Sequence, residues 1–235
     1  MIKLGSTDIT NVMLGTTKVD AIFLGNTKVY PNLPVVEGIY VYHVDKKFYT
    51  FPEFQKLSIT AISQVLGFAI IDNQGSFLLP PKPNLTNGYR WCPENFDTFV
   101  VPDVGIGVDD LNGRQNTEVL FNNFHNAAGS NEYAAGYAYR FTPVPIGTNW
   151  YLPSIGELII IHRYVSELND WVFDTFGFSY FPSSGAKAFW SSTQGDATTA
   201  WQLSIFAGEP HTAVKRKPNV ALPVIKLGQL ITAIT

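Results

Sequence analysis

The segment FWSSTQGDATTAWQLSIF, residues Phe189–Phe206, carries the pattern that decides the C-terminal half of the fold. From Trp201 onward, apolar side chains recur at a period of two, through Leu203 and Ile205. This is the spacing at which side chains point to one face of a strand. The segment therefore predicts a strand whose apolar face lies in the core.

Ser191, Ser192 and Thr193 precede this strand and raise the question of a serine nucleophile. A nucleophilic serine needs a base beside it and an oxyanion hole. The candidate bases are His43, His125, His162 and His211. The segment lacks the Gly-x-Ser-x-Gly turn of many hydrolases. We therefore expect no enzyme activity, with the three hydroxyls bonded to loop backbone groups and Trp190 and Trp201 buried as anchors.

The composition is that of a turn-rich globular chain rather than a helix bundle. The 235 residues are 46% hydrophobic and include 17 Phe, 11 Tyr, 5 Trp, 19 Gly and 15 Pro, enough for a sizeable core with aromatic anchors. The formal net charge of -3 and the 15% share of charged residues give no field that would hold nucleic acid or an anionic membrane. Neither partner is expected.

Cysteine content and the N-terminal sequence indicate the compartment. Cys92 is the one cysteine in the sequence, so neither an intrachain disulfide nor a cysteine-based zinc site is expected. No stretch approaches the ~18 apolar residues of a membrane span, and MIKLGSTDIT (residues 1–10) lacks the basic start and apolar run of a secretory signal. These observations predict a chain that stays in the cytoplasm where it is made.

The first thirty residues contain a repeat with a period of ten, IKLGSTDITN from Ile2, VMLGTTKVDA from Val12 and IFLGNTKVYP from Ile22. Each unit reads apolar-x-Leu-Gly-x-Thr-x-apolar. The glycine suits a tight turn and the flanking alternation suits a strand, so each unit predicts a small hairpin or a rung. Three such units bury too little apolar surface to be stable alone. They are expected either to dock and oligomerise the chain or to form a meander on its own domain.

The segment PNLPVVEG (Pro31–Gly38) has the prolines of a linker and divides the chain into a β repeat module at 1–33 and a second domain at 34–235. Four segments of the second domain have strand-like patterns, GIYVYHVDKKFYTF (38–51), GFAIIDNQGSFLLP (67–80), TAVKRK (212–217) and VALPVIKL (220–227). With two helices, described next, they predict an α+β layout that ends in an antiparallel meander.

Two segments have helical spacing. NTEVLFNNFHNAAG (116–129) begins with the cap-type residues Asn116 and Thr117. LPSIGELIIIHRYVSELNDWVF (152–173) offers Ser154 as N-cap with Glu157 three residues later, which is a capping box. Its apolar residues then recur at helical spacing, at Leu158, Ile161, Val165 and Leu168. Each segment predicts one continuous helix.

Five motifs together resemble a known family: DDLNGRQNT (109–117), NWYLPSIGEL (149–158), FWSSTQ (189–194), AWQLSIFAG (200–208) and LPV (222–224). Their order and spacing are similar to those of C-type-lectin-like domains related to formylglycine-generating enzyme, which include the major paralogous domain family and the variable proteins of diversity-generating retroelements. The likeness covers about Gly38 to Val224. Phe189, Gln194 and Leu222 depart from the residues common in that family, and the asparagine-rich run of many variable members is absent.

The resemblance implies a C-type-lectin-like fold that displays changeable side chains on a rigid frame. Formylglycine-generating chemistry uses paired cysteines, which the single Cys92 cannot supply. By position, the implied ligand-binding residues are Gln194, Asp196, Thr198, Thr199, Gln202, Ser204, Phe206, Glu209, His211, Lys215 and Lys217. The run Lys215–Lys217 is alternatively a solvated hairpin.

Oxygen donors cluster in VPDVGIGVDDLNG (Val101–Gly113), where Asp103, Asp109 and Asp110 are weak candidates for a structural calcium site. The sequence contains no Asp-x-Asp-x-Asp-Gly loop. The alternative is that Asp109 and Asn112 make turn and helix-cap bonds. No other cofactor is expected.

These observations favour a structural protein of a tailed-phage virion, such as a fibre, tail-tip or capsid-decoration subunit. Residues 1–33, which resemble short repeats of phage structural proteins, would contact other virion proteins and form a homo-oligomer, for instance a trimer. The C-type-lectin-like domain would bind a host surface glycan or protein. The alternatives are a purely structural virion subunit that binds another virion protein and a bacterial lectin-like surface protein.

Overall fold

The computed structural model describes residue 34 and residues 36–57, 61–126, 133–143, 146–147, 149–182 and 187–227, together with six short strands in the first thirty residues. Those six strands are β1 (Lys3–Leu4), β2 (Thr7–Asp8), β3 (Met13–Leu14), β4 (Thr17–Lys18), β5 (Ile22–Leu24) and β6 (Thr27–Tyr30). The expected boundary at residues 31–33 lies outside the described residues.

Each N-terminal repeat forms a separate antiparallel hairpin. The pairs are β1–β2, β3–β4 and β5–β6. The register repeats with the sequence, because Leu4 faces Thr7, Leu14 faces Thr17 and Leu24 faces Thr27. Of the two expectations for the repeat unit, the hairpin is confirmed.

The described residues from 34 to 227 contain two antiparallel sheets. Their strands are β7 (Gly38–His43), β8 (Phe48–Tyr49), β9 (Val65–Asp72), β10 (Gly75–Leu79), β11 (Ala188–Gln194), β12 (Thr199–Ser204), β13 (Glu209–Val214) and β14 (Ile225–Lys226). One sheet has the order β14-β10-β9-β7-β8 and the other has the order β11-β12-β13.

The expected terminal meander ends one strand early. The strands β11, β12 and β13 form it, but β14 pairs with β10 of the other sheet, where Lys226 faces Phe77 and Ile225 faces Leu78. The predicted last strand over 220–227 is reduced to Ile225–Lys226. The residues before it make isolated bridges, such as Val224 to Tyr151.

The described residues form five α-helices rather than the expected two, α1 (Phe51–Phe54), α2 (Gly113–Phe124), α3 (Ala134–Tyr139), α4 (Ile155–His162) and α5 (Val165–Phe176). With the antiparallel sheets they confirm the α+β class. Helix α2 begins three residues before the expected Asn116, so Asn116 and Thr117 are buried inside it rather than capping it. The predicted end of this helix, residues 127–129, lies outside the described residues.

The long helix predicted from Ser154 is two helices. The capping box of Ser154 and Glu157 starts α4 as expected. After His162 the backbone amides of Arg163 and Tyr164 bond to carbonyls three residues back, which tightens the last turn. The Tyr164 hydroxyl then donates to Asp72 on β9 at 3.0 Å. This contact with the sheet holds the break, and α5 continues beyond it.

The core surrounds both sheets. One cluster joins the five-stranded sheet to α4, α5 and one face of β11–β12, with Phe68, Leu158 and Leu203 among its members. A second cluster, which includes Trp190 and Ala200, covers the other face of β11–β12 together with α2 and α3. Among the described residues, no helix has the length and apolar character needed to cross a membrane.

Candidate ligand-display surface

A buried carboxylate, Asp110, joins the loop before α2 to strand β11. Its oxygens accept hydrogen bonds from the Asn112 amide at 2.9 Å, from Asn116 Nδ2 at 2.6 Å and from Thr193 Oγ1 at 2.8 Å. Its backbone carbonyl accepts from Ser154 Oγ at 2.7 Å. Three elements, α2, α4 and β11, therefore meet at one residue.

The capping box beside this junction is also buried. Glu157 is 1% exposed; its carboxylate accepts from the Ser154 amide at 3.0 Å and from Tyr151 Oη at 3.2 Å, with Lys226 Nζ at 3.6 Å. Burial raises the pKa of Glu157 to about 7, while the Ser154 amide, Lys226 and Tyr151 act against that rise. A capping residue with this pKa is partly protonated at neutral pH.

Glycine is required where α2 and α4 approach this junction. A Cβ on Gly156 would lie 2.5 Å from the Asp110 carbonyl oxygen, closer than side-chain contacts allow. A Cβ on Gly113 would clash with the Glu157 carboxylate and lie 2.5 Å from the Ser154 amide nitrogen. The close approach of backbones explains the glycines of the LNG and PSIGEL motifs.

The hydroxyl groups of Ser191, Ser192 and Thr193, between Trp190 and Trp201, make hydrogen bonds inside the protein. Ser191 Oγ donates to the Trp201 carbonyl at 2.8 Å and Ser192 Oγ to the Gly113 carbonyl at 3.4 Å, so backbone bonding is confirmed for both serines. Thr193 Oγ1 accepts the Ile155 backbone amide at 2.9 Å, so backbone bonding is confirmed for Thr193 too, and it also donates to the Asp110 carboxylate at 2.8 Å. Trp201 departs from the expectation that it is buried, since it is only partly buried.

Two side chains expected on the display face, Gln194 and Lys215, are buried, and their assignment as displayed residues is wrong. Lys215 Nζ donates to the Phe99 carbonyl at 2.7 Å, the Ala197 carbonyl at 2.8 Å and Gln194 Oε1 at 3.0 Å. It also lies 4.8 Å from the centre of the Trp91 ring. Burial lowers the pKa of this ammonium. All three acceptors are uncharged oxygens. Because Lys215 is buried while Arg216 and Lys217 are exposed, the run Lys215–Lys217 is solvated only at its last two residues.

Gln202 is the third expected display residue that the structure buries. Its Oε1 accepts from Asn219 Nδ2 and its Nε2 contacts His211 Nε2. The second core cluster, which includes Trp190 and Ala200, lies on the same face of the sheet. Gln202 therefore fixes the ring of His211 rather than meeting solvent itself.

The remaining candidates lie in two groups at opposite ends of β13. Around the β12–β13 turn are Ser204, Phe206, Glu209 and His211, with Phe206 66% exposed. At the other end are Asp196, Thr198, Thr199 and Lys217. Asp196 Oδ1 accepts the amides of Thr198 and Thr199 at 2.7 Å, and these bonds lower its pKa. The Asp196 carboxylate thus shapes its own turn.

The candidate calcium residues are not brought together. Asp103 and Asp109 are exposed, while Asp110 is buried and its oxygens are occupied by protein donors. The part of the chain that the structure describes holds no group of three or more His, Cys, Asp or Glu side chains arranged for a metal. The alternative to the calcium site included a helix-cap bond from Asn112; this residue precedes α2 but makes no side-chain cap bond.

Sequence reasoning missed the apolar character of the loop that borders the display strands. The segment from Phe99 to Leu111 exposes Phe99, Val100, Ile106, Val108 and Leu111, and Val214 is exposed next to it on β13. A cavity of about 200 Å³ lies beside Val214 and is lined by Asp97, Thr98, Thr198, Val214, Lys215 and Arg216. The available signal is the apolar composition of FVVPDVGIGVDDL (99–111) itself, whose aspartates also make it a candidate calcium loop.

Comparisons with known proteins agree with the fold class and leave the family open. No family model matches the chain, and no curated protein matches it. A solved structure that is similar is a fimbrial protein from Bacteroides ovatus, with 15% sequence identity and a TM-score of 0.53. The match covers 79% of this chain and 48% of that one, so this chain spans about half of the fimbrial protein.

Proposed function

We propose that this chain is a non-catalytic binding subunit of a tailed-phage virion, in which a C-type-lectin-like domain recognises a host surface glycan or protein. The observation that carries the proposal is the exposed turn between β12 and β13, which displays Phe206, Glu209 and His211 on a rigid support. An exposed aromatic ring beside polar side chains is common in binding sites. The three N-terminal hairpins would attach the domain to other virion proteins and to its own copies.

The support for this turn is the central strand of its sheet, together with the side-chain bonds that Gln202 makes to His211 and Asn219. Strand β12 lies between β11 and β13, and the core covers both faces of the β11–β12 pair. Residues on such a support change identity without altering the fold, because surface substitutions away from special contacts have small effects on stability. A recognition surface needs this property when its target varies.

A second candidate is a bacterial surface appendage, favoured by the similarity to the fimbrial protein. Antibodies against the whole chain separate the two candidates. In electron micrographs of a culture that makes the protein, gold label on phage particles supports the virion subunit. Label on filaments at the cell surface supports the appendage and overturns the virion proposal.

Recognition itself is tested with variants of the exposed turn. The full-length chain carrying Phe206→Asp and His211→Ala should lose most of its binding to cells of the labelled host. The matched control is Phe173→Asp, because Phe173 is also exposed but lies on α5. Unchanged cell binding by the turn variant would exclude this turn as the recognition surface and favour the purely structural role.

A further inference from the structure

The turn between β12 and β13 carries a histidine whose two ring nitrogens both face protein groups. His211 lies opposite Gln202 in the register of the two strands. Its Nδ1 lies 3.2 Å from the Glu209 carbonyl oxygen, and its Nε2 contacts Gln202 Nε2. On the far side of Gln202, Asn219 Nδ2 donates to Gln202 Oε1. Hydrogen bonds therefore run without a gap from the exposed turn to two buried amides.

The direction of each bond in this chain follows from its two ends. The Glu209 carbonyl only accepts hydrogen bonds, so the Nδ1 of His211 carries a proton. At the other end Asn219 donates to Gln202 Oε1, so the donor Nε2 of Gln202 is the atom that faces the ring. The Nε2 of His211 is therefore an acceptor. A charged imidazolium has donors on both nitrogens and does not fit this chain. Gln202 and Asn219 hold the ring uncharged.

This arrangement decides which groups the turn offers to a ligand. Because both nitrogens of His211 are bonded to the protein, its exposed ring offers a flat surface. The Phe206 ring, 66% exposed, offers a second one, and Pro210 is exposed as well. The Glu209 carboxylate is exposed and, in the part of the chain that the structure describes, makes no hydrogen bond or ion pair. It is free to accept hydrogen bonds from a ligand.

Basic side chains that border the turn are already engaged. Lys187, next to the start of β11, directs Nζ to a backbone carbonyl at 2.9 Å. Arg163 lies 3.4 Å from the Asp72 carboxylate. The His162 ring packs against the turn at Gly208, where an added Cβ would lie 2.4 Å from its Cε1. An anionic ligand would therefore meet a free carboxylate here, whereas the cations beside the turn are already bonded.

We propose that this turn binds an uncharged saccharide, whose C–H faces stack on the rings of Phe206 and His211 and whose hydroxyls donate to the Glu209 carboxylate. The negative face of an aromatic ring attracts C–H groups, and hydrogen bonds to a carboxylate are among the strong ones. One exposed carboxylate gives a cationic peptide little affinity. Gln202 and Asn219 are positioning residues, because they set the proton and the orientation of His211. The inference rests on the proposed function and names the ligand of the same turn.

The positioning is tested by nitrogen NMR of the full-length chain labelled with ¹⁵N in histidine. At pH 7 the His211 ring, identified by its loss in His211→Ala, should have a protonated Nδ1 and an unprotonated Nε2. Gln202→Glu offers acceptors to both neighbours, so Nε2 should become protonated in that variant. The control is Gln115→Glu, exposed on α2. An Nε2–H tautomer in the natural chain, or no change in Gln202→Glu, overturns the positioning.

The ligand class is tested on an array of immobilised uncharged oligosaccharides and their carboxylated counterparts. The full-length chain should bind uncharged members at least about tenfold more tightly. Glu209→Gln should weaken this binding about tenfold or more, since it removes the charge that the hydroxyls bond to. Glu167→Gln, exposed on α5, is the matched control and should keep it.

Failure of this inference and failure of the proposed function look different. Binding to carboxylated members alone, or to no saccharide, overturns the saccharide assignment. If the Phe206→Asp, His211→Ala variant still loses cell binding in that case, the turn recognises a host protein. Equal cell binding by that variant and the natural chain removes recognition from the turn altogether.

Discussion

Two buried clusters of opposite charge hold the two ends of the loop from Phe99 to Leu111. At one end the carboxylate of Asp110 accepts hydrogen bonds from two neutral side chains and one amide. At the other end the ammonium of Lys215 donates to two carbonyls and one amide oxygen. Neither charge relies on an oppositely charged partner, so the position of the loop is expected to depend little on ionic strength. Removing the two charges is expected to have different costs, because each removal leaves different polar groups without a hydrogen-bond partner.

The largest effect is expected at the carboxylate cluster. Asp110→Ala removes the acceptor of three hydrogen bonds and leaves the buried side chains of Asn116 and Thr193 without it. Breaking a buried network around a charge typically costs about 3–5 kcal/mol of unfolding free energy. Urea unfolding measures the loss. Asp109→Ala is the matched control, because the neighbouring Asp109 is exposed, and its effect should lie within about 0.5 kcal/mol of zero.

Glu157, which lies beside the Asp110 cluster, makes the stability of the folded chain depend on pH. Glu157 has a raised pKa of about 7 in the folded chain against an ordinary value of 4.5. Between these pH values the unfolded chain has lost a proton that the folded chain keeps. The contribution of protonated Glu157 to the free energy of unfolding is therefore complete below pH 4.5 and is lost as the pH rises through 7. The difference between the two pKa values corresponds to about 3 kcal/mol of unfolding free energy.

Glu157→Gln keeps the shape of the side chain and removes its titration. Relative to this variant, the natural chain should become less stable between pH 4.5 and pH 8, as followed by urea unfolding at several pH values. Parallel curves for the two proteins across that range would show that Glu157 stays ionised throughout and would contradict the raised pKa.

Local patterns predicted what local interactions determine. The spacing of Ser154 and Glu157 predicted a capping box, and the Leu-Gly-x-Thr repeat predicted either a hairpin or a rung, of which the hairpin is observed; both features are completed within a few residues. The same locality explains the missed break between α4 and α5. Helical spacing continues through Tyr164, and the contact that interrupts it comes from Asp72, which is distant in sequence.

Display residues could not be predicted in the same way. Alternation along β12 shows that Gln202 faces away from Leu203, but it does not show that a second core cluster covers that face. The polar identity of Gln194 likewise suggests solvent, while its actual partners come from residues 101, 105 and 215. An α+β class is readable from one sequence, whereas the exposure of a polar side chain depends on segments that fold over it.

The smallest of the three effects is expected at the ammonium cluster. Lys215→Met retains the volume of the side chain and its contact with Trp91, and it leaves three oxygens without their donor. Under-satisfied carbonyl oxygens cost less than a stranded charge, and the buried ammonium already carries a desolvation cost, which its lowered pKa reports. The expected loss is therefore about 2 kcal/mol in urea unfolding. Lys217→Met should have almost no effect, because Lys217 is exposed. A loss at Lys215 larger than that of Asp110→Ala would reverse the ranking and make the ammonium the stronger attachment of the loop.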